Sequence, residues 1–468
     1  MTTKNWSIDS LVLIFSIIVI AQLLSYVIPQ GTFERAAVPE DPHREMVVAG
    51  SYEPAVGEAE VTMPPWHFLL ALTRGFESAQ NIIFLIFLVG GVIEVLRSTG
   101  AIDAGLHRAV ARLGKRPWIL IAGCLLMFSL ASYTIGMGEE YVPLIPILVS
   151  MSLAMRMDAI VAMAMVWVPY GIGWACAGTN PFGVIIAQTI AGVPPTSGAG
   201  ARLIIMAVFL IIGFHHIYRY AMRVQRDPSA SLVAGVDYST GFESPDDDDL
   251  TPRRIAVLLV FLAGLLLFVY GAKAHGWYIA ELNAVFLGIG LIAALIAGIS
   301  PGDTSRAFIR GAAEMTGAAL LVGFARTIEV VLSDGQIMDT VIHGIASLLE
   351  GSGAEVSAIG MLAVQSICNL FIPSGSGQAF VTMPIMSPLA TLTGVPQQTA
   401  VLAYQFGDGF TNMIVPTSAL VMGALALGKI PYTAWFRFIA PLMLKIFAMA
   451  CVVLIVTIYL PASWGFGT

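Results

Sequence analysis

Two adjacent carboxylates, Glu139 and Glu140, interrupt an apolar stretch of the chain within the sequence GMGEEYVP of residues 136–143. An ionised carboxylate inside a membrane is costly unless it is paired, protonated or bound to a cation. We therefore predict that this pair binds a substrate ammonium group, a proton or a metal cation. The structural alternative is a protonated or hydrogen-bonded pair that locks a turn.

A second polar group, the sequence PSGSGQ of residues 373–378, comes directly before an apolar segment. Small residues let a ligand approach the backbone, and the free N–H groups and dipole of a helix N-terminus attract anions. We predict that a substrate carboxylate binds here, through Ser374, Gly375, Ser376, Gly377 and Gln378. The alternative is a tight turn that needs glycine, with a serine capping the next helix.

Two further apolar stretches are broken by polar residues, at Thr179-Asn180-Pro181 and again from Asp408 to Ser418. Proline frees backbone carbonyl groups, and these oxygens suit Na⁺ together with Asn, Thr and Asp side chains. The residues predicted to contact substrate are Asn180, Asp408, Asn412, Thr417 and Ser418. Those predicted to lie near a coupling Na⁺ are Thr179, Asn180, Asp408, Thr411 and Asn412. A proton is the alternative coupling ion, no other cofactor is expected, and the asparagines could instead cap half-helices.

The elements that position these groups must lie in a membrane. Of the 468 residues, 57% are hydrophobic and only 11% are charged, and the mean hydropathy is +0.83. A soluble protein carries about 25% charged residues, so the expected solvent here is lipid. The net charge of −7 gives no reason to expect a nucleic-acid partner. The four cysteines lie in apolar stretches, which argues against a disulfide or zinc framework, and the lack of HExxH and GxSxG motifs argues against an enzyme.

A membrane-spanning helix needs about 20 apolar residues. The stretches of about this length are 11–28, 80–97, 201–221, 254–271, 279–298, 314–333 and 433–460. Two other apolar regions, 117–195 and 355–428, contain the polar groups described above. Because non-helical backbone at membrane depth must be buried in protein or line water, these two regions are predicted to form the binding site.

The chain also repeats itself. Residues 93–102 (IEVLRSTGAI) match 328–337 (IEVVLSDGQI) at six of ten positions, and 170–174 (YGIGW) resembles 406–410 (FGDGF) at a similar offset. The segment 97–117 carries five Lys or Arg residues, including Arg112 and Lys115, whereas 331–355 carries none. Since Lys and Arg mark the cytoplasmic side, the two copies are predicted to have opposite orientations, as in inverted-repeat transporters.

We therefore predict an all-α polytopic membrane protein with two inverted repeats, each containing a re-entrant hairpin and a broken helix. The N-terminus is expected to be cytoplasmic and the C-terminus outside, in a bacterial inner membrane. The linker's acidic run 246–249 is interpreted as a solvated loop. The first repeat is predicted to contain scaffold helices (1–117) and transport elements (118–221), the latter with a hairpin at 118–156 and a broken helix at 159–193. A cytoplasmic linker (222–253) joins the two repeats. The second repeat follows with a connecting helix and scaffold helices (254–355), and then with transport elements and the final helix (356–468), including a hairpin at 357–392 and a broken helix at 397–427.

The stretches 136–195 and 373–437 resemble the C4-dicarboxylate anaerobic carrier family, most closely its YfcC branch. The matching motifs are Gly138-Glu139-Glu140, Asn180-Pro181-Phe182, the run 373–379 (PSGSGQA), the run 405–412 (QFGDGFTN) and Pro416-Thr417-Ser418. The resemblance implies membership of the ion-transporter superfamily, alternating access of the elevator type and a homodimer. Trp167 and Trp174 depart from the family pattern and could narrow the pocket.

The predicted function is secondary-active transport, by symport or exchange, of a small carboxylate-bearing metabolite. Glu139, Glu140 and Asp408 would repel a dicarboxylate, and we expect no Lys or Arg near either hairpin tip. An amino acid, such as a basic one of the arginine or ornithine type, is therefore favoured. The alternative is a C4-dicarboxylate coupled to Na⁺ or H⁺, and a weaker alternative is an ion channel.

Two local expectations concern charged residues near helix ends. Arg326 lies three residues before Glu329, so the two are predicted to form an ion pair within one helix. Asp158 lies beside Arg156 at a predicted cytoplasmic turn and is expected to be solvated.

Overall fold

The chain forms helices over most of its length in a computed structural model. The structure describes residues 10–466 except 39–40, 49, 58–59, 103, 106–107, 109–115, 239–249, 276, 278, 348 and 350. Arg112, Lys115 and the acidic run 246–249 lie outside the described residues, so the expectations placed on them stay predictions. A mostly helical fold agrees with the predicted class.

The helices of the first half include the two that form the predicted first hairpin. In chain order, the helices of this half are α1 (Ser10–Leu24), α2 (His67–Ser78), α3 (Gln80–Ser98), α4 (Pro117–Ile135), α5 (Ile145–Ala154), α6 (Ala159–Ala175), α7 (Val184–Ile190) and α8 (Ala199–Arg226). The predicted hairpin consists of α4 and α5. Short 3-10 turns are found at Glu139–Leu144 and Pro228–Ala230.

The second half has a comparable series of helices. They are α9 (Pro252–His275), α10 (Ile279–Ala297), α11 (Pro301–Glu314), α12 (Thr316–Asp334), α13 (Met338–Ser347), α14 (Ala354–Phe371), α15 (Gly375–Thr393), α16 (Gln397–Thr411), α17 (Ala419–Leu427) and α18 (Tyr432–Ile458). A 3-10 turn at Ala462–Trp464 follows the last helix.

The segment between α1 and α2 contains short strands that an all-α fold did not lead us to expect. They are β1 (Gly31–Thr32), β2 (Arg35–Val38), β3 (Asp41–Val47) and β4 (Glu53–Pro54), paired antiparallel as β1–β4 and β2–β3. The segment is fixed to α13 by Asp339, whose carboxylate accepts a hydrogen bond from the backbone N–H of Phe33 at 3.0 Å. Arg35 forms an ion pair with the same carboxylate at 2.9 Å.

Six helices among the described residues are long and apolar enough to cross a membrane. They lie at Gln80–Ser98, Pro117–Thr134, Ala199–Arg226, Ile279–Ala297, Ala354–Phe371 and Tyr432–Ile458. The bent pair α11–α12, with an angle of 43°, would add a seventh. The predicted spans 80–97, 201–221, 279–298 and 433–460 fall on these helices. Side chains such as Leu295 and Leu444 are 81% and 75% exposed, which suits a surface that contacts lipid.

Helices α6 and α16 form the centre of the fold. Every residue of α6 is buried, as are those of α16 from Gln398 onward, because both helices are enclosed by other helices. Helix α4 packs on α6, α14 packs on α16, and α6 and α16 pack on each other. A Cβ on Gly171 would lie 2.9 Å from the carbonyl oxygen of Gly409, and one on Gly409 would lie 2.5 Å from the nitrogen of Ala175. The glycine-rich motif in each half therefore allows this close crossing.

Helices α2, α3, α11 and α12 form a second group beside the central pair. Helix α3 packs against α11 and α2 packs against α12, so equivalent pairs from the two halves cross reciprocally. At the crossing, a Cβ on Gly90 would lie 2.6 Å from the carbonyl oxygen of Gly311, which explains why small residues occur there. Helix α12 also packs against α17, which joins this group to the second broken stretch.

Candidate functional site

The first predicted hairpin tip separates its two carboxylates. Helix α4 ends at Gly136, whose φ of +75° is a left-handed conformation that glycine adopts easily. The chain then turns back so that a carboxylate oxygen of Glu140 accepts a hydrogen bond from the N–H of Gly138 at 2.7 Å. Glu140 is only 8% exposed, whereas Glu139 is half-buried. The two residues therefore have different surroundings: Glu140 stabilises its own turn, and Glu139 is accessible from one side.

The second predicted tip is the start of α15, with Ser374 as its N-cap. The Ser374 hydroxyl oxygen accepts from the N–H of Gly377 at 3.4 Å, and the carbonyl of Gly375 accepts from the Tyr404 hydroxyl at 2.6 Å. The side chain of Gln378 points elsewhere, because it is fully buried and donates to the amide oxygen of Gln365 at 2.7 Å. The start of α15 is thus hydrogen-bonded to α16 through Tyr404 and to α14 through Gln365.

Asp408 lies directly behind the second tip and is completely buried. One carboxylate oxygen accepts from the indole N–H of Trp174 at 2.6 Å. The other accepts from the side-chain amides of Asn369 and Asn412, each at 2.8 Å. Three donors therefore surround this carboxylate, and no basic side chain forms an ion pair with it in the described part of the chain.

The residues predicted to lie near Na⁺ fall into two groups. Asn180 donates to the carbonyl of Ser132 at 3.3 Å and Thr179 to that of Thr134 at 3.0 Å, so both are bonded to α4 of the first hairpin. Asn412 donates instead to Asp408 of α16, and that carboxylate in turn accepts from Asn369 of α14. Thr411 directly precedes Asn412. Asn180 is therefore bonded directly to the first predicted hairpin, whereas Asn412 is linked to the second one only through Asp408. The buried side-chain oxygens of Thr411 and Thr417 have no hydrogen-bond partner among the described residues.

A cavity of about 370 Å³ lies where both predicted hairpin tips and both broken stretches meet helices α3, α10 and α12. Small-molecule sites are commonly about 300–1,000 Å³, so the space suits a small metabolite. Six of the predicted site residues line it: Glu139, Ser374, Gly375, Ser376, Asn412 and Ser418. Six others do not, namely Glu140, Asn180, Gly377, Gln378, Asp408 and Thr417. The aromatic rings of Tyr170, Trp174 and Phe182 form part of the wall, whereas Trp167 is buried away from it.

The expectation that no Lys or Arg lies near a hairpin tip is wrong. Arg326 of α12 lines the same cavity as Ser374 and Ser376. Its guanidinium forms the predicted ion pair with Glu329 at 2.5 Å and also donates to the hydroxyl of Ser78 at 3.2 Å. The ion pair could be found from the spacing of three residues, but the approach of α12 to the second tip could not.

The expectation that Asp158 is solvated is also wrong. This residue is only 5% exposed and caps α6 by accepting from the N–H of Val161 at 3.1 Å. Its carboxylate also accepts from the hydroxyls of Tyr220 and Ser231, each at 2.6 Å. The start of the predicted cytoplasmic linker is therefore fastened to the base of the first broken stretch.

The six membrane-length helices and their lipid-suited surface place this chain among the multi-pass membrane proteins. Residues 8–459 match the family model described as the C4-dicarboxylate anaerobic carrier. The chain is 31% identical to the Escherichia coli protein named "Putative basic amino acid antiporter YfcC", over 97% of both chains. It is 30% identical to a Haemophilus influenzae protein named only as uncharacterized, over 83% of this chain and 78% of that one. The chain therefore belongs to the C4-dicarboxylate anaerobic carrier family and is a membrane transporter.

Two solved transporter structures are similar over nearly the whole chain at low identity. The YdaH transporter of Alcanivorax borkumensis is 16% identical with a TM-score of 0.40, over 98% of this chain and 100% of that one. MtrF of Neisseria gonorrhoeae is 18% identical with a TM-score of 0.41, over 96% of this chain and 95% of that one.

Proposed function

We propose that this protein is a secondary-active transporter that binds a small carboxylate-bearing metabolite in the 370 Å³ cavity between its hairpin tips. The observation that carries the proposal is the composition of the cavity wall. One wall offers a carboxylate, Glu139, and another offers the N-terminus of α15 with Ser374 and Ser376. A site of this kind is complementary to a molecule that carries both an ammonium group and a carboxylate.

An amino acid is the substrate that this wall favours. Its carboxylate would accept hydrogen bonds from the free N–H groups and hydroxyls at the start of α15, and its ammonium group would lie beside Glu139. Neither Glu140 nor Asp408 lines the cavity, so Glu139 is the carboxylate that would contact the ligand. The name of the E. coli relative agrees with a basic amino acid, of the arginine or ornithine type, and with exchange.

Arg326 supports a second candidate, a C4-dicarboxylate. A planar guanidinium binds a carboxylate through paired hydrogen bonds, so Arg326 could hold one end of a dicarboxylate while the start of α15 holds the other. The family description agrees with this substrate. Glu139 would then have to be neutralised by a coupling H⁺ or Na⁺. Binding of a dicarboxylate should therefore depend on a coupling cation, whereas binding of a basic amino acid should not.

Alternating access of the elevator type is proposed for the transport step. The hairpins and the broken stretches at α6 and α16 would move as one unit, against a scaffold that includes α2, α3, α11 and α12. The reciprocal crossing of α2–α3 with α11–α12 supports two inverted repeats, and the cavity between the two groups of helices supports the division. A homodimer through the scaffold, a bacterial inner-membrane location and a cytoplasmic N-terminus with an outer C-terminus complete the proposal.

A thermal-shift screen of the purified protein tests the substrate. Basic amino acids and C4-dicarboxylates are added separately, each with and without Na⁺ and at two pH values, and stabilisation grows with ligand concentration over Kd. A shift with arginine or ornithine that needs no Na⁺ supports the amino acid. A shift with succinate only in the presence of Na⁺ or at low pH supports the dicarboxylate and contradicts the preferred substrate. Counterflow of the stabilising ligand in proteoliposomes then tests transport itself.

A further inference from the structure

A buried arginine in α8 lacks the carboxylate partner that such residues normally have. Arg202 is completely buried, and among the described residues its guanidinium forms no ion pair. It donates instead to two glutamine side-chain oxygens of α16, that of Gln405 at 2.6 Å and that of Gln398 at 3.1 Å. The guanidinium carbon also lies 5.6 Å from the centre of the Phe466 ring, which is a cation–π contact. Burying a guanidinium costs free energy, and the hydrogen bonds that offset this cost go to two neutral amides, whose orientation they fix.

The guanidinium determines which way each amide faces. Arginine can only donate hydrogen bonds, so both glutamines must turn their oxygens toward it and their NH₂ groups away. The NH₂ group of Gln398 then donates to Ser197, whose hydroxyl oxygen and backbone carbonyl oxygen both accept. Gln405 donates to the backbone carbonyl of Trp174 at 3.2 Å. The two amides are therefore fixed by the same cation but act on different parts of the molecule.

The contact made by Gln405 leads to the cavity. Trp174 lies in the last turn of α6, lines the cavity, and donates from its indole N–H to Asp408 at 2.6 Å. The same indole and the same carboxylate form the surface against which Gly375 packs: a Cβ on Gly375 would lie 2.8 Å from the ring and 2.9 Å from the carboxylate oxygen. An unbroken series of contacts thus runs from Arg202 through Gln405, Trp174 and Asp408 to the second hairpin tip.

We infer that Arg202 and Gln405 are positioning residues for the second hairpin tip. Arg202 fixes the Gln405 amide, and Gln405 in turn fixes the end of α6. In that position the Trp174 indole donates to Asp408 and packs against Gly375. The inference deepens the proposed function and rests on it, because the supported tip is part of the proposed substrate site. Neither residue touches the cavity, so neither is a substrate ligand in this scheme.

Two matched substitutions test the inference. Gln405→Glu can still accept from Arg202 but has no proton to donate to the Trp174 carbonyl. Gln398→Glu places the same new charge beside the same guanidinium, but in the described structure the Gln398 amide donates to Ser197 and not to Trp174. If only the surroundings of Arg202 matter, the two variants must behave alike.

The readout is the rate at which a maleimide labels Ser376→Cys at the tip of the full-length protein, with Cys451→Ser as background. The remaining cysteines, Cys124, Cys176 and Cys368, are buried. Gln405→Glu is expected to raise the rate by about 2- to 10-fold, the range that one hydrogen bond contributes, and Gln398→Glu to leave it unchanged. Equal rates for the two variants would overturn the inference.

A second variant guards against a failure of Gln405→Glu to fold. Trp174→Phe keeps a ring against Gly375 but removes the donor to Asp408, so it should raise the labelling rate as Gln405→Glu does. An unchanged rate in Trp174→Phe would refute the proposed support of the tip. Arginine counterflow is measured in parallel: if the wild type does not exchange arginine, the proposed amino-acid substrate is contradicted, and the labelling contrast still decides the role of Gln405.

Discussion

The tight contact at Gly375 gives a prediction whose size follows from the structure. A Cβ there would lie 2.8 Å from Trp174 and 2.9 Å from the Asp408 carboxylate, whereas carbon atoms in contact usually lie about 3.5–4.0 Å apart. The neighbours would have to move by roughly 0.7 Å, and Asp408 cannot do so without weakening the three hydrogen bonds that hold it. Gly375→Ala should therefore cost about 1–3 kcal/mol of stability, the usual price of overpacking.

Gly377→Ala is the matched control, two residues further along the same helix. Its Cβ would lie 3.1 Å from the Ser374 hydroxyl oxygen and 3.3 Å from the Ser374 Cβ, which is a milder overlap than the one at Gly375. Alanine also stabilises a helix by up to about 1 kcal/mol over glycine. We expect the unfolding midpoint of Gly375→Ala to lie a few degrees below that of Gly377→Ala. Thermal unfolding is monitored by tryptophan fluorescence in detergent without ligand. Equal or reversed midpoints would refute the packing of the second tip against Trp174 and Asp408.

Three further tests concern charged residues and use five substitutions. Glu139→Gln should weaken binding of arginine at least about tenfold in a thermal-shift titration. The proposed ion pair between Glu139 and the substrate ammonium group is half-buried, so it contributes more to binding than an exposed ion pair would. Glu140→Gln, which keeps an oxygen for its backbone hydrogen bond, should change binding little, and the reverse order would contradict the assignment. Arg326→Lys keeps the charge but loses the planar fork, so succinate counterflow, if present, should fall about tenfold. Asp158→Ala should lower stability by about 2–4 kcal/mol, because a helix cap is lost and two hydroxyls lose their acceptor. Asp227 is an exposed cap of the 3-10 turn Pro228–Ala230, where it accepts from the N–H of Ser229, so Asp227→Ala should cost only about 1 kcal/mol.

The polar interruptions of apolar stretches were the part of the site that the sequence could reveal. A segment such as 373–378 stands out because glycine and serine at membrane depth need a reason, and its first residues do line the cavity. The same signal could not say which side chains would face the ligand. Gln378 looks as suitable as Ser376 in the sequence, yet it is bonded to Gln365, and that pairing depends on how α14 and α15 pack.

Contacts between distant segments were beyond reach for the same reason. Arg326 and Ser374 are separated by 47 intervening residues, and no periodic pattern indicates that α12 approaches the start of α15. Asp158 appeared solvated because Arg156 is its neighbour in sequence, whereas Tyr220 and Ser231 cover it only after α8 has packed on α6. Tertiary packing therefore decides both cases, and it overrides what local sequence indicates.

The distribution of charge in the cavity has a consequence for the transport step. In the proposed division of the molecule, Glu139 and the start of α15 belong to the moving hairpins, whereas Arg326 of α12 belongs to the scaffold. If the hairpins move against the scaffold, a bound molecule keeps its contacts with Glu139 and Ser374 but leaves Arg326 behind. Arg326 then contributes to binding in only one of the two end states. Its substitution should alter affinity measured from one side of the membrane more than from the other, while Glu139→Gln should alter both equally. A fixed pore would give no such asymmetry, so the comparison separates a moving carrier from a channel.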